Sequence, residues 1–576
     1  MPFEQGSSTS SVVETQPLLK EPPPSYNSVD DVVEGSSDTD LPPSPPLNNF
    51  SRVDLVWILA GLWSAVFLGA LGTVVATLLT PIGSDFNKSN QASYIGTSYL
   101  LSLCCFTPLY GRLADILGRK GAMLLALFLF GSGTMLCGMV PSMETLILAR
   151  ALAGMGGGGQ VIPVMTVAAI VVTDLIPLKQ RGLYQGMANI LFGLGAGIGG
   201  PLGGWINDVF GWRSAFFFQA PVMLFSATLV AWKVNIQLPS DVLNEPLHEK
   251  LRRIDILGSL TLVGTVGCLL LGFDLKTTEE IPWSHPLIYG LFCCSAVCGV
   301  LFVLVEKYWA PFPVMPLRLI TRRTPCAVSV SLLFASMTAF SMLYNVPVYF
   351  SAVKLYSAAN AGSHLLPHSI AISCGSVAAG WMMRRTGKLY TLTLAAAALS
   401  VCANILVIFW NENTSSWHLW LDIVPQGFGM ASFITSTLIA MIAGVIKEDM
   451  AVATGITYLF RTTGQVLGVS LSGAILQAVL LQKLRQRIHG PDSAEIIYEI
   501  RQVSVHSATS IPDLDPRWRQ AAVDSYADAL RVVFIFQAAM ALLAFLFSLP
   551  IEENPLPGAP QEEHDQNQEP DIDNGP

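Results

Sequence analysis

Long apolar runs separated by short polar connections dominate the pattern of this chain. Runs of about 20 residues are long enough to cross a bilayer as helices. The pattern predicts spans near 53–79, 91–110, 121–140, 144–173, 183–206 and 213–236, then 255–275 and 286–306. Six more are expected near 326–352, 361–383, 389–410, 418–446, 451–481 and 527–550. The expectation is therefore an all-α polytopic membrane protein of about fourteen spans. Glycine and proline inside such helices are tolerated, because small residues favour close packing in lipid.

The polar stretches divide the chain further. Residues 1–50 and 552–576 read as disordered tails, the second strongly acidic. Between them, 51–240 would form a six-helix bundle, 241–310 a linker with two extra helices, and 311–551 a second six-helix bundle. Composition agrees with a membrane class: 52% of the 576 residues are hydrophobic and 13% charged, against about 25% charged in soluble domains. The formal charge of −9 is a property of the tails. Removing them leaves 25 acids and 31 bases between Ser51 and Ile551, a net +6. Such a core gives no reason to expect nucleic-acid binding. The ten cysteines lie in or beside apolar runs, read as small core residues, and have no metal-ligand spacing.

Orientation follows from the bias of Lys and Arg in short connections. One alternate set carries Arg112/Arg119/Lys120, Lys179/Arg181, Lys250/Arg252/Arg253, Arg318/Arg322/Arg323, Arg384/Arg385/Lys388 and Lys447. That set is expected to be cytosolic, and an even span count places both termini there. The connection 482–526 is basic too but long, and long loops obey the rule poorly. Asn413-Thr414-Ser415, on the opposite side, is a glycosylation candidate. In the first tail, Glu14 with Leu18-Leu19 resembles an acidic dileucine signal read by sorting adaptors. Pro23-Pro24-Ser25-Tyr26 resembles a P-P-x-Y ligand for WW domains, as found on ubiquitin ligases. Each pattern is short enough to arise by chance.

The stretch from Gly111 through Arg112, Asp115, Gly118 and Arg119 to Gly121 reads as a tight, charged loop between the second and third spans. Asp115 is placed to pair with Arg112 or Arg119. Its G-R-L-A-D-x-x-G-R-K order resembles the corresponding loop of the major facilitator superfamily. A weaker echo, Gly380 to Lys388, falls between spans ten and eleven. The resemblance implies two six-helix bundles with the substrate site near the midplane between them.

Arg150 lies inside the fourth span, beside Gly154 to Gly159. A membrane arginine is costly unless it faces the bundle interior and finds a partner. It either ties helices together or, as the resemblance implies, serves proton coupling. Gly200, Pro201, Gly203 and Gly204 in the fifth span resemble an antiporter signature, with the last glycines one position early. Arg461-Thr-Thr-Gly464 and the segment Ala361 to Pro367 resemble the fourteen-span drug:proton antiporter branch. The texture around Leu71-Gly72-Thr73 is similar to fungal vacuolar basic amino acid transporters. The acid that those proteins usually carry before Gly-Thr is absent here. Span-end acids Asp174, Asp274, Glu306 and Asp422 are expected at the interface. Gln160, Asn189, Gln219, Tyr344, Asn345 and Gln426 either line a cavity or bond helix to helix.

The resemblance implies a secondary transporter driven by a proton gradient, without a cofactor, whose partners are a small-molecule substrate, protons and the bilayer. The expected activity is export from the cytosol, with basic amino acids moving into the vacuole. Plasma-membrane efflux of drugs or secondary metabolites, and a sensor that has lost transport, are the alternatives. An enzyme is not expected, since no nucleophile–base set is visible.

Overall fold

The computed structural model describes residues 52–86, 93–157, 168–172, 178–234, 255–278, 284–310, 313–356, 363–411, 414–446, 449–488 and 516–553, with a few single positions in the turns between them. Both tails beyond these limits, the two tail motifs, Asn413, Gln160 and Asp174 lie outside the described residues, as do the side chains of Asp115 and Pro201.

The described elements are helices. The first span is α1 (Arg52–Ala70), a 3-10 turn at Leu71–Thr73, and α2 (Val74–Asp85). Gly72, the poorest helix former there, sits in the break. Then come α3 (Ser93–Ile116), α4 (Gly118–Met139), α5 (Met143–Gly156), α6 (Leu178–Phe210), α7 (Ser214–Phe217) and α8 (Ala220–Lys233). A peripheral pair follows, α9 (Ile256–Thr278) and α10 (Pro286–Tyr308), and a short α11 (Leu317–Ile320). The last group is α12 (Arg323–Ala352), α13 (Leu366–Thr386), α14 (Tyr390–Ile408), α15 (Ser416–Leu421), α16 (Val424–Ala443), α17 (Met450–Arg487) and α18 (Pro516–Ser548).

Ten of these segments are long and apolar enough to cross a membrane. Helices α3, α5, α6 and α13 occupy the other four expected places. They are richer in glycine and polar residues, or, for α5, described over only fourteen residues. The count of fourteen is consistent with this order.

Within the first group, α3 and α4 pack on α5, and α1 on α6 and α8. Ile58, Leu62, Met123, Phe130 and Val230 fill that core. Within the last group, α12 packs on α17 and α18, and α16 on α13 and α14. Tyr349, Phe350, Tyr526 and Phe534 are among its buried residues. Helix α9 lies against α3 and α17, while α10 touches α9 and exposes Leu287, Val297, Val300 and Leu304. That outward apolar face is what a lipid-facing helix requires.

Several expectations need correction. The 111–121 stretch is not a loop: α3 continues to Ile116, Leu117 is a single bend, and Gly118 (φ +79°) turns the chain into α4. Alanine, leucine and arginine are good helix formers, so the helix runs on past the apolar stretch. For the same reason α17 reaches Arg487 and α18 begins at Pro516, shortening the expected 482–526 loop. Lys483 and Arg487 pair with Asp528 at 3.3 and 2.8 Å, which neutralises part of that basic exception. Of the span-end acids, Glu306 is buried rather than bathed at the interface, while Asp422 is partly buried and bonded beside the exposed His418. Glu306 accepts the Met315 N–H at 3.0 Å, and Asp422 accepts from Trp410 Nε1 at 3.0 Å. Finally, Cys293, Cys294, Cys374 and Cys402 are exposed rather than core residues.

Candidate functional site

The first and last helix groups meet along two seams, α6 against α13 and α3 against α17. At the end that bears the basic connections, glycine brings backbones into direct contact. A Cβ at Gly380 would lie 2.5 Å from the carbonyl of Gly182, and one at Gly186 would lie 2.9 Å from Ser376 O. Across the other seam, a Cβ at Gly111 would lie 3.0 Å from Ala451 O and 3.5 Å from Gly455 Cα.

Just beyond these contacts runs a chain of polar side chains shared by both groups. Gln185 donates to Asn189 at 3.4 Å, and Asn189 donates to Ser376 Oγ at 2.9 Å across the seam. Thr435 on α16 donates to the same Ser376 oxygen at 3.4 Å. On the other side, Gln185 lies alongside the Tyr458 hydroxyl, and the Arg461 guanidinium stands 5.7 Å from the Tyr458 ring centre. Counting roughly 1.5 Å per residue from the basic helix ends puts this row about 10–17 Å deep, near the middle of a hydrocarbon core about 30 Å thick. Asn189, Gln185, Ser376 and Thr435 are buried.

Arg150 and Arg461 differ sharply. Arg150 is buried, donates from Nε to Ile95 O at 3.4 Å and stacks 4.2 Å from the Tyr99 ring centre. Gly154 lets α5 approach α3 there, since a Cβ would fall 2.4 Å from Tyr99 O. Arg461 has no hydrogen-bond or ion-pair partner among the described residues, and its Nε is shielded without an acceptor.

The remaining candidates sort by partner. Arg112 Nε donates to Pro313 O at 2.7 Å, joining α3 to the segment that enters the last group. Arg119 donates to Ala114 O at 2.8 Å, closing the bend around Leu117. Helix α6 passes unbroken through Gly200, Pro201, Gly203 and Gly204, and a Cβ at Gly204 would meet nothing within 4 Å. Gln219 donates to Ala215 O within its own helix turn. Asn345 bonds Ser472 Oγ at 2.9 Å, a helix-to-helix bond inside the last group. Gln426 meets His368 at 2.6 Å. Tyr344 is about half exposed, at 51%.

Gln185, Tyr458, Ser376, Thr435 and His368 were not expected as site residues. Gln185 lies four residues before Asn189 and Tyr458 three before Arg461, so one helix face links each pair. That spacing was a usable signal. Ser376 and Thr435 had none, because isolated hydroxyls are common in membrane helices and bond their own backbone.

Residues 62–477 match the Major Facilitator Superfamily. The chain is 36% identical over 501 residues to the multidrug resistance protein fnx1 of Schizosaccharomyces pombe, covering 86% of this chain and 92% of that protein. It is 32% identical over 510 residues to the vacuolar membrane amino acid uptake transporter fnx2 of the same yeast, covering 88% and 86%. It is 32% identical over 478 residues to vacuolar basic amino acid transporter 1 of Saccharomyces cerevisiae, covering 75% and 81%. Among solved structures, the human organic anion transporter MFSD10 superposes with a TM-score of 0.53 at 15% identity, over 86% of this chain and 99% of that one, a likeness of fold alone. With this fold, two glycine-lined seams and relatives matching over most of its length, the chain belongs to the major facilitator superfamily and is a multi-pass membrane transporter, not an enzyme.

Proposed function

We propose that this transporter carries a small solute of the amino-acid class out of the cytosol into the vacuole, by proton antiport and alternating access. The observation that carries the reading is the row Arg461–Tyr458–Gln185–Asn189–Ser376–Thr435, shared by both helix groups and floored by glycine contacts. Groups that touch through bare backbone can separate without unlocking interdigitated side chains. A solute bound to such a row senses both halves, as rocking around a midplane site requires. Relatives of 32% identity are named for vacuolar amino acid transport, which supports the substrate class and address.

Efflux of drugs is the second reading, favoured by the 36% identical relative named for multidrug resistance. Among amino acids, lysine and arginine are expected to be poor substrates. Leu71-Gly72 supplies no carboxylate to receive a cation, and the row itself contains an arginine.

The test is uptake of radiolabelled lysine, arginine and leucine into vacuolar membrane vesicles, with and without a pH gradient. Gradient-dependent uptake that requires this protein is expected, strongest for leucine. Its absence for all three, with gradient-driven extrusion of an amphiphilic drug instead, would replace this reading by the second. Replacing Leu18 and Leu19 by Ala is expected to redirect the protein to the plasma membrane, as followed with a fluorescent fusion.

A further inference from the structure

An arginine at mid-membrane depth without a counter-charge is costly. Arg150 meets this cost with a carbonyl and an aromatic face. Arg461 makes no hydrogen bond or ion pair among the described residues and approaches the Tyr458 ring only at 5.7 Å. Four of the described acids are engaged elsewhere. Glu306 holds Met315 N–H, Asp422 holds Trp410 and His418, Asp449 holds Arg318, and Asp528 holds Lys483 and Arg487.

A second donor stands beside it. Tyr458 is 2% exposed, and its hydroxyl has no partner in good hydrogen-bonding geometry. Gln185, alongside that hydroxyl, comes from the other helix group. Arg461 and Tyr458 lie three residues apart on α17, with Gln185 beside Tyr458 from α6, and a guanidinium fork, a phenol and an amide can each donate to a carboxylate.

The geometry points to Arg461 as the group that binds a carboxylate of the transported solute, with Tyr458 and Gln185 as further donors. The substrate class is small organic acids and amino acids that carry a free carboxylate. This deepens the transport reading above and rests on it. An anion held by α17 and Gln185 of α6 bridges the two groups and completes the charge balance that the described side chains leave open. Loading and closure at the basic end are thereby coupled through one contact.

The experiment uses full-length protein in lipid nanodiscs and matched probes: L-leucine against isopentylamine, and L-lysine against cadaverine. Each second member lacks only the carboxylate. Losing a charge-assisted bidentate bond corresponds to about 10- to 100-fold in affinity. The wild type is expected to prefer the amino acid of each pair by that factor. Arg461→Gln is expected to reduce the preference to less than threefold, Arg461→Lys to an intermediate value, and Tyr458→Phe by several-fold. Equal affinities within each pair in the wild type would overturn the assignment, and this arm needs no variant to fold. An undiminished preference in Arg461→Gln would overturn it too. Gradient-driven flux of ethidium by proteoliposomes with no carboxylate preference would sink the carboxylate site and leave proton antiport standing. A clear preference in binding, with no gradient-driven flux of any probe, would sink the transport reading and leave the site standing.

Discussion

The two seams between the helix groups are related by the chain's internal echo yet are not equivalent. Gly111 on α3 and Gly380 on α13 occupy matching places in the repeated motif, and each faces the start of the long fifth helix of the opposite group. At Gly380 the contact is backbone on backbone, with Gly182 carbonyl atoms 2.5 Å and Leu183 N 2.6 Å from where a Cβ would sit. At Gly111 the nearest atom is 3.0 Å away, and the reciprocal glycine, Gly455, has neighbours no nearer than 3.4 Å. The tight seam also carries the Asn189–Ser376 bond, while the looser one is flanked by α9. One seam holds the halves in register, and the other tolerates small displacement. Pseudo-symmetry in sequence therefore does not imply equal mechanical roles.

The largest effect is expected at Gly380. Gly380→Ala places a methyl group inside the backbone of α6, and overpacking of this kind costs about 1–3 kcal/mol. Neither helix group needs this contact for its own core, so the cost falls on the closed arrangement. Transport is expected to fall about tenfold or more, since 1.4 kcal/mol is a factor of ten, at unchanged protein abundance. Gly182→Ala is the control. Its Cβ would meet the flexible end of Met383 at 2.5 Å and backbone only at 3.2 Å, so a mild effect is expected. Equal losses in the two variants, by initial uptake rate normalised to immunoblot, would break the proposed asymmetry.

Intermediate effects are expected one turn deeper. Gly186→Ala sets a methyl 2.9 Å from Ser376 O and 3.0 Å from Ser376 C, so backbone must shift, though the contacts are less close than the 2.5 Å at Gly380. A several-fold loss of uptake is expected. Asn189→Ala removes the cross-seam bond without adding bulk. A neutral hydrogen bond contributes about 0.5–1.5 kcal/mol net, so a loss of two- to tenfold is expected, matched by Ser376→Ala. If Asn189→Ala and Ser376→Ala together lose the product of the single effects, the two side chains act independently and the bond does not hold the seam.

How much of this was legible beforehand depends on distance along the chain. Apolar run length gave the helical membrane class and the approximate place of each helix, because that signal is local. Helix ends were misread at Ile116, Arg487 and Pro516, since hydropathy falls at the interface while helix propensity does not. Asn189 stood out as a polar residue in apolar surroundings, and Arg461 only through the resemblance of Arg461-Thr-Thr-Gly464 to the antiporter branch. Ser376, the partner of Asn189, did not, being 187 residues away and of a common type. Gly380 was visible as part of the echo, but nothing in the sequence showed what it faces. Only the packed structure shows that its missing side chain is filled by another helix. The unpartnered state of Arg461 was likewise invisible, because lack of a partner is a property of everything around a residue.

The smallest effect, and the finest probe of the comparison, is expected at Gly455. A Cβ there would lie 3.4 Å from Gly111 Cα and Pro108 O and 3.7 Å from Gly111 N, which is ordinary van der Waals contact. Two opposing terms then decide the sign. Alanine in a helix interior is favoured over glycine by about 1 kcal/mol, and the residue lies well inside α17. The slight crowding of α3 offsets part of that gain. Gly455→Ala is therefore expected to leave uptake within about twofold, and thermal unfolding in detergent unchanged or slightly raised, since about 1 kcal/mol moves the midpoint of a large domain by only 2–4 °C. Gly111→Ala, with Ala451 O at 3.0 Å, should fall between this variant and Gly186→Ala. A Gly455→Ala loss as large as that of Gly380→Ala would mean that both seams close to the same tightness during the cycle. The inequality seen here would then belong to one conformation, and α3 and α17 would approach further in another.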